Sequence, residues 1–342
     1  MTEILFVSKP VVPPWNDGSK NLVRDVSGHL ERHSSVLMAR SGHLGVLSQL
    51  LFGRSPDVWH FFFAPNLKAS SAARFARAVR GVPSVHTVCS MPAEGVATRE
   101  LLFADVTVAL SQFAYERFVR DGVSESALRV IPPCVPALAE PTPIDRAELR
   151  DKHGLPQGVP VWIYPGDLEF GGGAEIALEG LAASNEADTV LLMACRRKTP
   201  AADEALSRLR AQARRWGIDS RVRWPGETPH IHELLALSDF VVMVNRLAYA
   251  KTDYPLVVLE AMCLGRPVLV AARTPSAELA EVGGALAVEP SGEALAEAVE
   301  NLSANQDSCR KLGIEARGLA TSRFSPRGVA AEYELLYDAV LG

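Results

Sequence analysis

The sequence predicts an α/β protein built twice over, with two doubly wound parallel-sheet domains. Three observations lead there. Short apolar runs of strand length alternate with segments of helical spacing, in two successive series. The 342 residues suit two domains of about 150–170 residues better than one. The stretch Pro132–Pro143, PPCVPALAEPTP, holds five prolines and reads as a stiff linker. The expected division is 1–137, 138–324 and a last helical segment, 325–342.

Composition narrows the class. Apolar residues make up 48% of the chain, enough for ordinary cores. No run approaches the ~18 apolar residues of a membrane span. No charged-then-apolar leader is seen; EILFVS goes directly into a strand. The five cysteines are scattered without CxxC spacing. That argues against a zinc site or disulfide framework and for a reducing cytoplasm. Net charge is −5, divided as +2 over residues 1–140 and −7 over the rest. Neither half has the basic bias of a nucleic-acid binder. The mildly basic first half is compatible with an anionic membrane or acceptor, and equally with an ordinary solvated surface.

In the first domain, Glu3–Ser8 reads as a buried strand and Lys9–Ser19, KPVVPPWNDGS, as a loop. Lys20–Arg32 has helical spacing through Leu22, Val23, Val26 and Leu30. A strand–loop–helix junction is where α/β sheets take ligands. Gly18 and Ser19 would let backbone N–H groups approach an anion at the helix start, with Lys20 adding charge. The competing reading is a turn capped by Asp17 or Ser19. Val36–Ala39 and Asp57–Phe63 are the next strands. His60 reads as a core or edge histidine. Leu67–Val79 is a helix with Lys68, Arg74, Arg77 and Arg80, either a basic face or a solvated one. Pro83–Val88 is a strand ending in His86-Thr87-Val88-Cys89. Asp105–Leu110 is another, and Ser111 is placed to cap the helix after it.

The second domain opens with the strand Val159–Tyr164 and then PGDLEFGGGAE, where Gly171–Gly173 lead into a helix as a plausible anion cradle. Thr189–Ala194 is a strand, Asp203–Trp216 a helix, Arg221–Trp224 a short strand. His230 and His232, two apart, do not share a helix face, so they make a poor metal pair. Phe240–Val244 is a buried parallel strand. The polar loop Lys251-Thr252-Asp253 follows it. Pro255 opens a helix that Gly265 and Pro267 end, before the strand Val268–Val270. Beyond Ala272, SGEALAEAVENL and the segments after it read as helices. Glu260 stands in the middle of LVVLEAMCL, a helix apolar nearly all round. A lone buried carboxylate needs a partner. That partner is either structural, Arg266 for instance, or a ligand at the mouth of the sheet.

The segment PLVVLEAMCLGRPVLVA, residues 255–271, resembles the signature of glycosyltransferase family 4. Its members are retaining sugar transferases with two Rossmann-like domains facing a cleft, the GT-B fold. The family motif has two glutamates separated by seven residues, then Ala-Met and a Gly-x-Pro-Val turn. Glu260 matches the second glutamate, which in the family binds the donor's ribose. The first would fall at Thr252 and is missing. Lys251 and Asp253 flank that gap.

The resemblance implies a hexosyltransferase-like enzyme that uses a nucleotide sugar as co-substrate, without cofactor or metal, acting on an unidentified acceptor. The first domain would hold the acceptor and the second the donor, and the last helix would cross back to the first domain. It also implies a histidine near the donor sugar at the end of the fourth strand, for which His86 and Cys89 both stand in range. The family places an arginine after the glycine at Gly166 and a lysine before the next helix, both on the donor diphosphate. This chain has Asp167 and glycines there, leaving Lys20, Arg246 or Lys251 to supply charge. The candidate catalytic residues are therefore Lys251, Asp253 and His86. The candidate donor-binding residues are Gly18, Ser19, Lys20, Gly166, Asp167, Arg246, Thr252, Tyr254, Pro255, Leu256 and Glu260. A non-catalytic nucleotide-binding protein of the same fold is the alternative.

Overall fold

A computed structural model describes residues 2–92, 98–247 and 252–342. The chain divides into two compact units. One comprises Met1–Pro136, Tyr249–Leu256 and Ser322–Gly342; the other comprises Ala137–Ala248 and Val257–Thr321.

The first unit runs β1 (Glu3–Val7), α1 (Gly18–Ser27), β2 (Ser34–Leu37), α2 (His43–Phe52), β3 (Val58–Phe63), α3 (Leu67–Arg80), β4 (Ser84–Val88), α4 (Thr98–Leu101), β5 (Val106–Ala109), α5 (Gln112–Arg120) and β6 (Leu128–Val130). The six strands are parallel in the order β2-β1-β3-β4-β5-β6. Alternation along the strands builds a core on each face of this sheet. Ile4, Phe6 and Phe62 point to one side, Leu5, Val7, Trp59 and Phe61 to the other.

The second unit runs α6 (Pro143–Lys152), β7 (Val161–Tyr164), α7 (Gly173–Ala183), β8 (Val190–Met193), α8 (Ala201–Arg215), β9 (Val222–Arg223), α9 (Ile231–Leu237), β10 (Phe240–Met243), α10 (Leu256–Cys263), β11 (Val268–Ala271), α11 (Glu278–Glu281), β12 (Leu286–Val288), α12 (Gly292–Ala304) and α13 (Gln306–Arg323). Its strands are parallel in the order β12-β11-β10-β7-β8-β9. Every residue of β7, β8, β10 and β11 is buried, which is why these strands read as unbroken apolar runs.

The last helix, α14 (Pro326–Leu341), belongs to the first unit and lays Val329, Tyr333, Leu336 and Tyr337 on the Ile4–Phe6 face of its sheet. A buried polar chain fixes it there. His60 bonds the Tyr337 hydroxyl through Nδ1 at 2.6 Å and Thr87 Oγ1 through Nε2 at 2.8 Å; Thr87 Oγ1 meets the Tyr333 hydroxyl at 3.0 Å.

Several elements differ from the sequence reading. Helix α1 stops at Gly28, whose N–H caps Arg24 O, rather than reaching Arg32. The second strand is Ser34–Leu37, two residues earlier than its apolar run. Helix α2 was not anticipated, because the apolar side chains of HLGVLSQLLF surround the helix instead of marking one face. Strand β12 lies at the sheet edge, in a stretch that the sequence reading leaves unassigned before SGEALAEAVENL. The first part of the proline-rich stretch is not linker: Ile131 and Cys134 are core residues of the first unit, and Val135 N–H donates to Phe324 O at 3.0 Å. Its far end starts α6, with Pro143 in the first turn behind a Thr142–Asp145 capping box. The α3 arginines do not form an open basic face. Arg74 bonds Glu100 O and Leu102 O, Arg77 bonds Phe103 O and Asp105, and Arg80 bonds Leu51 O and Gly53 O.

Candidate active site

In the second sheet the strand order reverses between β7 and β10, so the crevice beyond their carboxyl ends is the expected ligand position. The loops that leave those ends carry most of the site residues. After β7 come Gly166, Asp167 and the triple glycine; after β10 come Asn245 and Arg246.

Close packing explains the glycines. A Cβ at Gly173 would collide with Asn245 Oδ1 and the Tyr164 hydroxyl, and one at Gly166 with the Tyr164 ring. Gly171 and Gly172 hold φ of 79° and 68°, a left-handed backbone that side-chain-bearing residues rarely adopt. Gly172 is the N-cap of α7, and no side chain caps the first-turn N–H groups there. Arg246 lies over this turn. Its backbone N–H donates to Gly171 O at 2.7 Å, its Nη1 to Gly172 O at 3.4 Å, and its Nη2 pairs with Glu179 at 2.9 Å.

Asp167 is completely buried. Its Oδ1 takes Nη2 of Arg196 at 2.9 Å and its Oδ2 takes Nζ of Lys198 at 3.1 Å. As a donor-binding residue it is therefore corrected: its carboxylate is consumed by two cations and positions them just beyond β8. The Glu169 carboxylate joins the same turn, accepting the Lys198 N–H at 2.9 Å and the Thr199 N–H at 2.7 Å. Arg196 and Lys198 were missed in the sequence, although Arg196-Arg197-Lys198 directly after a buried strand is a signal that could have found them. Asn245 was missed as well.

Glu260, in α10, pairs with His232 Nε2 at 3.4 Å. Arg266 is not its partner; Arg266 Nε donates to Leu264 O at 3.1 Å, and burial lowers its guanidinium to about 10. His230 turns instead to Glu233, so the two histidines have separate roles. The Lys152 ammonium, first among three cationic or imidazole partners, holds the Glu233 carboxyl at about 2. Among the described residues no group of three or more His, Cys, Asp or Glu side chains is placed to hold a metal ion.

The remaining candidates gather in the first unit. Asp17 caps α1, taking Ser19 N–H at 2.9 Å and Ser19 Oγ at 2.6 Å, and pairs with Lys9 at 2.6 Å. Burial alone would raise the Asp17 carboxyl; Lys9 and Ser19 outweigh it and hold it at about 2. Lys20 Nζ stands 5.9 Å from the Trp15 ring centroid, a cation–π arrangement. Gly18 faces the loop before α10: a Cβ there would lie 3.5 Å from Thr252 Oγ1 and 3.7 Å from Leu256. Asp253 is buried and accepts Ser111 Oγ–H at 2.8 Å, while Ser111 Oγ also caps Ala114 N–H. Tyr254 packs edge-on against Phe324 at 5.9 Å inside the core, which corrects its assignment as a donor contact. Pro255 precedes the first turn of α10. Lys251 lies outside the described residues.

His86 is corrected too. It has no exposed surface and packs against Phe63 and Phe103, which also stack on each other, with Nε2–H donating to Phe63 O at 3.2 Å and Nδ1 unpartnered. Burial pushes its imidazole down to about 4, against the pull of that carbonyl. A neutral ring with no exposed surface offers no face to a sugar. Cys89 is buried as well, and burial pushes its thiol up.

Residues 145–319, just over half of the chain, match the family described as Glycosyl transferases group 1. The chain belongs to that family. Glycosyl transferases group 1 thus covers the second unit, with the glycine turn, the cation pair and Glu260. Over 203 residues the chain is 27% identical to the candidate glycosyltransferase EpsD of Bacillus subtilis (strain 168), a match that takes in 58% of this chain and about half, 51%, of EpsD. Among solved structures, Anabaena HepE in complex with UDP and glucose superposes with a TM-score of 0.83 at 20% identity, covering 99% of this chain and all of that one. Sucrose-phosphate synthase of Thermosynechococcus elongatus superposes at 0.77 with 18% identity over 99% of each chain. Identities this low speak to the fold, and the fold is GT-B: two Rossmann-like parallel-sheet units.

Proposed function

We propose that this protein is a retaining glycosyltransferase of family 4, moving a sugar from a nucleotide donor to an acceptor. The observation that carries the reading is a helix N-terminus at the β7–β10 switch point that no side chain caps, with Arg246 laid over its glycine turn. In such a transfer the bond from the anomeric carbon to the diphosphate breaks and the nucleoside diphosphate leaves with added negative charge. Fixed cations and backbone N–H groups aimed at that charge lower the barrier. Glu260 is assigned the ribose hydroxyls, oriented by His232. Lys251, from its place before α10, is the second candidate cation for the leaving phosphate. The acceptor is assigned to the first unit, and peripheral contact with a membrane to the same unit. No helix among the described residues is long and apolar enough to cross a membrane.

The donor series should start with UDP-sugars, given the UDP-bound HepE. Thermal shift and nucleoside diphosphate release on a panel of nucleotide sugars test the reading, and the product's anomeric configuration by NMR tests retention. Absence of any donor-dependent shift would overturn it.

One observation favours a second reading, a non-catalytic nucleotide-binding protein: Asp167 and Thr252 stand where the family has an arginine and a glutamate. That reading predicts a thermal shift with the nucleoside diphosphate but no turnover with any donor and acceptor pair.

A further inference from the structure

Along Gly173–Gly180 every residue of α7 is buried except Glu175 and Glu179. These two stand at i and i+4, side by side on one face, where like charges repel. Each is met by an arginine from another element. Glu175 takes Arg208 of α8 at 2.8 Å, and Glu179 takes Arg246, from the loop after β10, at 2.9 Å. The two pairs are chemically alike, but the second also engages the glycine turn that opens α7.

Arg246 reaches Glu179 across that turn. Its Cδ and Cγ would lie 3.4 and 3.5 Å from a Cβ on Gly172, and its Nη1 donates to Gly172 O. The stem is thereby laid on the turn, and Glu179 takes the other nitrogen, Nη2. Glu179 is itself a fixed anchor. Helix α12 packs against α7 there, so closely that a Cβ on Gly292 would stand 2.5 Å from Glu179 Cβ, and one on Gly180 2.9 Å from Leu295. A free arginine samples many rotamers, and a guanidinium ordered before its ligand arrives need not be ordered on binding. The side chains of the pair are 44% and 36% exposed, so solvent screens it and it adds little stability. What it does is geometric: it fixes where the cation stands.

We propose that Glu179 is a positioning residue of the donor site, holding the Arg246 guanidinium over the glycine turn for the leaving diphosphate. The proposal rests on the transferase reading above and adds to it a residue that acts only through Arg246.

Steady-state kinetics of donor turnover test it, with Glu179→Ala, Glu179→Gln, Arg246→Ala and the double variant Glu179→Ala/Arg246→Ala. Glu175→Ala is the control, an acid of the same helix whose arginine comes from α8. Glu179→Ala is expected to lower kcat about tenfold, less than the ~10²-fold for losing the cation itself, with little change in KM. Glu179→Gln keeps an oxygen that accepts from Nη2 and should retain more of the rate. With Arg246 already removed, Glu179→Ala should change kcat by less than about twofold. Glu175→Ala should match the parent, and chemical denaturation midpoints should stay together across the set, as for a screened pair. The parent's own turnover tests the transferase reading separately. If the parent turns over no donor, that reading fails alone, and the same cycle is read in nucleoside diphosphate affinity, which Glu179→Ala should weaken only while Arg246 is present. A parent with neither turnover nor affinity would overturn both. Three results would overturn the proposal by itself: Glu179→Ala within about twofold of the parent, an equal loss with and without Arg246, or a faster Glu179→Ala protein, which would mean that the carboxylate draws the cation away from the donor.

Discussion

Arg246 fills the space that a side chain at Gly172 would take: a Cβ on Gly172 would lie 3.2 Å from Arg246 Nη1. A cation from the end of the neighbouring strand thus covers the glycine turn that opens α7.

Arg246→Ala is therefore expected to lower kcat by ~10²-fold, the scale for one transition-state donor, with a smaller change in KM. Arg246→Lys should recover only part, since the planar guanidinium bonds the turn and Glu179 together. Lys251→Ala, measured alongside in steady-state assays, decides between the two cations. A loss within about twofold for Arg246→Ala and ~10²-fold for Lys251→Ala would move the charge to Lys251.

Glu260→Gln should weaken nucleoside diphosphate binding by about 1–3 kcal/mol, the range for hydrogen bonds to a charged group. Folding should be largely kept, because the side chain is only partly buried beside His232. Isothermal titration of variant and parent reads the difference, and equal affinity would remove the ribose assignment.

His86 supplies a pH dependence of stability. Its imidazole ionises near 4 in the folded chain and at 6.5 when free of it. The unfolded chain thus binds the extra proton first as pH falls. Stability is expected to drop from about pH 6.5 to about pH 4, by about 3 kcal/mol from this group, and to level below that. Urea titrations at pH 7 and pH 4.5 should show the fall, and His86→Phe, which keeps an aromatic ring against Phe63 and Phe103, should shrink it.

Tyr337→Phe removes the hydroxyl that meets His60 Nδ1 at 2.6 Å. Both rings are fully buried, so the imidazole nitrogen is left without its partner. A loss of about 1–3 kcal/mol is expected, measured by chemical denaturation. Unchanged stability would mean that the polar chain beneath α14 contributes nothing to holding it.

The sequence by itself determined the fold class, because both sheets are parallel and buried on both faces. Their strands therefore read as continuous apolar runs such as Phe240–Val244, with helices between them. It also located Glu260, a carboxylate out of place in an apolar helix, and the glycine turn before α7. Only the tertiary structure decided what those residues face. Partners of these charges come from other elements of the fold: Asp167 meets Arg196 and Lys198, 29 and 31 positions away, and Glu260 meets His232 rather than the nearby Arg266. His86 and Tyr254 read as site residues from their places at a strand end and in a motif, yet their rings point into a core. Strand polarity sets which residue is near the carboxyl edge, but which way a side chain turns depends on the packing of the layer beneath it. Helix α2 was hidden for a related reason. Its apolar residues encircle it, and the fold buries only the side that meets the sheet.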